Sequence, residues 1–279
     1  MTRRSLVLAF LCAAPAACTR GSQAEPLRLG TTTTVEQSGA LALLDSLHQS
    51  IPLRVIVGPS GTILRSAAAG DLDVVITHAP SLEQRLLIEP GHAALRCPFV
   101  QSRFAIVGPA ADPAHAAQAT TAADVFRRIS SARAVFVSRG DSSGTHVKEL
   151  SLWKAAGIAL PAPAREAWYV QSGGDQSLTL RIADERHGYA LADLPTFVRL
   201  KGIDLHVLFT ADTVLGNPYT LYVIRSAPQN TTATQFSTWA LGDWRARLLA
   251  LRLPDGVTAF AALPGGCAVP VTTAETADR

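Results

Sequence analysis

Between positions 136 and 150 the chain reads FVSRGDSSGTHVKEL. Arg139 closes a short apolar stretch, and residues 140 to 145 are small or hydroxyl-bearing before a helical pattern runs on toward SLWKAAG. A guanidinium is a fixed cation whose fork of donors matches an oxyanion. Ser and Thr hydroxyls add donors without charge, and the first N–H groups of a helix have no partners inside it. The chemistry on offer is capture of a negative group. Three more junctions share the same character: Thr31 to Thr34 with Ser38, Pro59-Ser60-Gly61-Thr62, and Ser172 to Ser177. Any one alone reads as an ordinary helix N-cap. Four in one chain, one of them with an arginine, point to an anion site. SRGDSSGT lacks the glycine spacing and the terminal Gly-Lys-Ser/Thr of a nucleotide phosphate loop.

The elements that must hold these junctions alternate. LRLGTTTT (27 to 34) begins as a strand, GALALLDSLHQS (39 to 50) has helical spacing, and LRVIVG (53 to 58) is a strand again. GTILRSAAAG (61 to 70) reads as a helix stopped by Gly70, and DVVITHAP (73 to 80) as a buried parallel strand. Further units follow at 103 to 109, 121 to 130, 132 to 138, 147 to 157, 167 to 172, 177 to 188 and 189 to 193, with a late strand at 217 to 226 and a helix near 233 to 251. The class is α/β, in which ligands bind at the carboxyl edge of the strands.

The 279 residues are 48% hydrophobic and 17% charged, enough to bury a sizeable core. Net charge is +3, and two of those charges are Arg3 and Arg4. Neither nucleic acid nor an acidic membrane surface is implied as a partner. The first 18 residues, with a basic start, an apolar stretch from Leu6 to Ala14 and small residues at Ala16 and Ala17, have the layout of an export signal. Arg3-Arg4 fits either a twin-arginine signal or a plain basic start. Cys18 follows Pro15-Ala16-Ala17, which leaves lipidation of Cys18 open. Cys97 and Cys267 either pair in an oxidising compartment or stand as separate buried thiols.

TTTT after the first strand, VGPSGTILRSAAAGDLDVVITHAP, FAIVGPAADPA, FVSRGDSSGTHVKELSLWKAAGI, WYVQSGGDQSLTLRIADERHGYALAD and NPYTLYVI together resemble the periplasmic tungstate-binding proteins of bacterial ABC importers, the Tup type. The likeness runs from about Leu27 to Leu251 and keeps the motif order. It implies a type II periplasmic binding protein fold of two lobes, each a mainly parallel sheet flanked by helices. Lobe one would combine 27–107 with 218–270, lobe two would be 108–217, and 271–279 would be a solvated tail. The two crossings would fall near 106–112 and 212–219. Carried over by position, the oxyanion contacts fall on Thr32, Thr33, Ser60, Gly61, Arg139 and Thr145. The chain departs from the family where Thr34 stands for a serine, Ser60 for a threonine, and SGGDQS for a glycine-rich segment, which puts Asp175 near the cleft.

The resemblance further implies a monomeric receptor, exported or periplasmic, that takes up tungstate or a related tetrahedral oxyanion and hands it to an ABC permease. No cofactor is expected, and no metal coordinated directly by the protein, because tungstate offers only its oxygens. The alternative is an enzyme of this fold acting on a phosphorylated or carboxylated small molecule, with Asp141, His146 or Asp175 as its base. His78 reads as a structural histidine under the cleft floor. His146 and Glu149 read as capping and solvating the helix after the Arg139 loop.

Overall fold

The structure, a computed structural model, describes residues 25–47, 51–227, 230–254 and 256–270. The expected export signal, with Cys12 and Cys18, and the expected tail at 271–279 lie outside the described residues. The strands are β1 (Leu27–Thr32), β2 (Leu53–Gly58), β3 (Val74–Thr77), β4 (Ala93–Pro109), β5 (Phe136–Ser138), β6 (Tyr169–Gln171), β7 (Ala190–Asp193), β8 (Leu205–Phe209), β9 (Gly216–Ile224) and β10 (Ala261–Ala262). The helices are α1 (Thr33–Gln37), α2 (Ala40–Leu47), α3 (Ser60–Ala68), α4 (Pro80–Glu83), α5 (Ala122–Ala132), α6 (Gly144–Ala155), α7 (Gln176–Glu185), α8 (Leu194–Arg199), α9 (Asn230–Trp239) and α10 (Arg245–Ala250).

β1 lies between β2 and β3 and runs parallel to both. Antiparallel ladders then extend the sheet through β9 to β4. β4 organises the whole molecule. Its residues Ala93–Arg103 pair with β9, whereas Phe104–Val107 pair with β7 and Ile106–Pro109 with β8. The strand therefore changes partners between Arg103 and Phe104 and carries the chain from one core into another. In the second lobe β5 runs parallel to β6, and a parallel bridge from Phe136 to Tyr189 ties that pair to the segment leading into β7.

Each lobe has apolar residues on both faces of its sheet. In the first, Leu29, Ile76, Leu221, Phe236 and Trp244 share one cluster, while Ile63, Leu64, Val75 and Tyr222 share the other. In the second, the two-residue period of β4 sends Phe104 and Ile106 to one face and Ala105 and Val107 to the opposite one. Burying each large side chain contributes roughly 1.5–3 kcal/mol. Phe126 meets Trp153 edge-on at 4.6 Å between ring centroids, and Phe136 stacks parallel to Tyr169. These aromatic contacts fix α5 and α6 against β5 and β6, and so fix the loop that carries Arg139.

Three strand segments were not expected from the sequence: the first half of β4, all of β8 and the short β10. Pro98 cannot donate to a ladder, and it is accommodated where the β4–β9 register shifts between Pro98 and Val100. Cys97 of β4 is bonded to Cys267, 170 positions away, which ties the C-terminal segment to β4. Among the described residues no helix is long and apolar enough to cross a membrane.

Candidate anion-binding cleft

Lobe one brings the β1–α1, β2–α3 and β3–α4 junctions to the cleft, and lobe two brings the β5–α6 and β6–α7 junctions. The lobes touch across it. Gly144 N donates to Ser60 Oγ at 3.2 Å, and Gln37 Nε2 donates to Asp175 Oδ2 at 2.8 Å. A Cβ placed on Gly144 would lie 2.6 Å from His78 Cε1, so only glycine allows this approach. Several of the expected N-caps are also present. Thr32, Ser143 and Asp175 accept from Val35 N, His146 N and Leu178 N, respectively.

Arg139 is 1% exposed. Its Nη2 pairs with the Asp141 carboxylate, whose other oxygen accepts from Ser143 N at 3.1 Å. Arg139 Nε and Nη1 are buried without a partner. Leaving charged donors unbonded away from water costs several kcal/mol, so the site is built for an acceptor. Gly140 (φ 63°) and Ser142 (φ 60°), on either side of Asp141, both turn through the left-handed region.

The expected contact residues differ in what they have left to give. Thr33 Oγ1 is buried and unpartnered, and so is Thr34 Oγ1 on the next residue. Thr32 and Ser60 each accept a backbone hydrogen bond, which leaves their hydroxyl protons available. Gly61 faces the other lobe, with a Cβ at that position 3.4 Å from Ser142 O. Thr145 Oγ1 donates instead to Gln176 Oε1 at 3.4 Å. Asp175 is occupied on both oxygens, by Gln37 Nε2 and Leu178 N.

Glu149 is not solvated as expected. It is 1% exposed and accepts from Trp153 Nε1 at 3.2 Å and Tyr169 OH at 3.0 Å. Burial pushes its carboxyl up to about 7, against the pull of those donors. Helical spacing puts Trp153 one turn along on the face of Glu149, but Tyr169 comes from β6, and its approach follows only from the fold. His146 Nδ1 accepts from Ser142 N at 3.1 Å, which places the ring proton on Nε2, a buried donor without a partner. Burial, followed by the charge of Arg139, lowers the pKa of His146, with Asp141 opposing. Among the described residues no cluster of His, Cys, Asp and Glu could hold a metal ion.

Two lobes joined by crossing strands, with buried and unbonded donors gathered in the cleft, define a substrate-binding protein of the periplasmic-binding-protein class. The family described as the PBP superfamily domain matches residues 13–243. The tungstate-binding protein TupA of Peptoclostridium acidaminophilum is 30% identical over 225 residues, covering 77% of each chain. A crystal structure described as the tungstate ABC transporter of Geobacter sulfurreducens is 34% identical, covers 80% of this chain and 97% of its own, and superposes with a TM-score of 0.70. TupA of Desulfovibrio alaskensis is 31% identical, covers 86% and 100%, and has a TM-score of 0.68. The chain spans 60% of the length of a Haloferax volcanii relative assigned as an ABC transporter anion-binding protein. The chain belongs to the PBP superfamily and, within it, to the family of the TupA tungstate-binding proteins.

Proposed function

We propose that the protein is the substrate-binding receptor of an ABC importer, capturing tungstate in the interlobe cleft and delivering it to a permease outside the cytoplasm. One observation carries this reading: Arg139 is buried with two unbonded nitrogens, and the hydroxyls of Thr33 and Thr34 at the β1–α1 junction are also buried without partners. The contacts of tungstate are proposed as Thr32, Thr33, Ser60, Gly61 and Arg139, with Thr34 added. Thr145 joins them if its hydroxyl turns from Gln176. Each charge-assisted hydrogen bond contributes about 1.5–3 kcal/mol, so a few support tight binding. The lobes are proposed to rock where β4 changes partners, near Arg103 and Phe104, and where β9 begins at Gly216.

A receptor is favoured over an enzyme because the three candidate bases are engaged. Asp141 and Asp175 are each bonded on both oxygens, and the lone pair of His146 Nδ1 is used by Ser142 N. The test is calorimetric titration of the signal-free protein with tungstate, molybdate, sulfate and phosphate in one buffer. Tungstate should bind far more tightly than sulfate or phosphate, and the molybdate ratio defines selectivity. Silence toward all four overturns the reading.

A further inference from the structure

His78 directly follows β3 and is 2% exposed, yet its Nε2 is buried without a partner. Much of the surrounding fold is spent on holding it. Its Nδ1 lies 3.0 Å from Asn217 Oδ1. Asn217 cannot be turned round, because its Nδ2 donates to the Asp193 carboxylate at 2.9 Å and to Ser102 Oγ at 3.0 Å. The amide oxygen therefore faces His78, and His78 Nδ1 must carry the ring proton. On the other side, the buried Glu83 carboxylate accepts from Thr77 Oγ1 at 2.7 Å and Ala79 N at 2.8 Å, clamping the backbone on both sides of His78. The ring stacks on Tyr219 at 5.2 Å, and Gly144 closes over Cε1.

Neutral His78 thus offers a bare lone pair at Nε2, the opposite of His146, which already presents a proton there. A lone pair has nothing to give a fully deprotonated anion. Asp141 already neutralises Arg139, the buried cation of the cleft. We propose that His78 is a further anion-contacting residue, whose Nε2 takes up a proton as a dianion binds and then donates to it. This rests on the oxyanion-receptor reading given above.

The neighbouring charges are consistent with that step. Arg139 and Asp141 come from the β5–α6 loop, His146, Lys148 and Glu149 from α6, Glu83 from α4, and Asp193 from the end of β7, with the Tyr219 phenol from β9. Burial, then the charge of Arg139, lowers the free imidazole to about 4, so it is neutral at pH 7. A bound dianion cancels the Arg139 contribution and reverses its sign. His146 cannot take this proton without losing its bond from Ser142 N. Lys148 is committed to Val214 O at 2.9 Å.

The experiment is calorimetric titration with sodium tungstate at pH 7 in two phosphate-free buffers of different ionisation enthalpy, repeated up to pH 8.5. Wild type should take up a fraction of a proton approaching one per anion. Its affinity should fall several-fold per pH unit, with tenfold as the limit for one linked proton. His78→Gln, whose amide donates without titrating, should bind with no proton uptake and a flat pH profile. Wild-type binding without uptake, or uptake retained in His78→Gln, overturns the assignment, whereas failure of wild type to bind tungstate overturns the receptor reading with it. Nitrogen-15 spectra of the wild-type histidines make the test independent of the variant's folding. His78 Nε2 should change from bare to protonated on adding tungstate, and an unchanged signal refutes the proposal.

Discussion

Ser60 and Gly144 stand 84 positions apart in the chain and meet across the cleft, where the Gly144 amide donates to the Ser60 hydroxyl at 3.2 Å. This one bond ties the start of α3 in lobe one to the start of α6 in lobe two. It also leaves the Ser60 proton free to point at an anion. Closure and ligand recognition therefore share a single side chain.

Ser60→Ala removes both uses at once. Tungstate affinity should fall by about 1–2 kcal/mol, the worth of one or two hydrogen bonds. Ser60 belongs to none of the apolar clusters, so the melting temperature without ligand should change little. Calorimetric affinity and thermal denaturation, compared in the same buffer, separate the two.

Arg139→Ala removes the cation and its two unbonded N–H positions together. High-affinity tungstate binding should weaken by on the order of a hundredfold or more, the sum of two charge-assisted bonds. The circular dichroism spectrum should match wild type, because the aromatic contacts of α5 and α6 do not involve Arg139. Binding as tight as wild type would show the anion to lie elsewhere.

Stability should respond to pH through two buried groups of opposite sign. His78 falls from 6.5 to about 4 in the folded protein, so the unfolded chain binds more protons between those values and stability is lost as pH falls through them. Glu149 rises from 4.5 to about 7, so the folded protein binds more protons there and stability is lost as pH rises from 4.5 to 7. Each amounts to about 3 kcal/mol in order of magnitude. Glu149→Gln should therefore gain on wild type between pH 4.5 and 7.5, measured by urea unfolding of the anion-free protein.

Breaking the Cys97–Cys267 bond should affect stability but not recognition. The bond holds the C-terminal segment to β4, and closing so long a loop contributes about 2–5 kcal/mol. Cys97→Ser should lower the melting temperature, as should reductant on wild type, with tungstate affinity within about twofold of the parent. A large loss of affinity would mean that the C-terminal segment supports the cleft.

What the sequence determined by itself is the local chemistry. Strand-to-helix junctions rich in Ser, Thr and Gly, the arginine among them, and the N-caps Thr32, Ser143 and Asp175 all follow from side-chain type and spacing within a few residues. The α/β alternation follows in the same way, and the order of motifs carried the Tup resemblance. What the tertiary structure alone decided is which donors are left over. Thr145 turns to Gln176, Thr34 joins Thr33 unpartnered, Asp141 takes one arm of Arg139, and Glu149 lies buried among aromatics. The physical reason is distance along the chain. Hydrogen-bond satisfaction at His78 depends on Asn217, 139 positions away, and at Ser60 on Gly144, and no local pattern of residue types encodes which groups folding brings face to face.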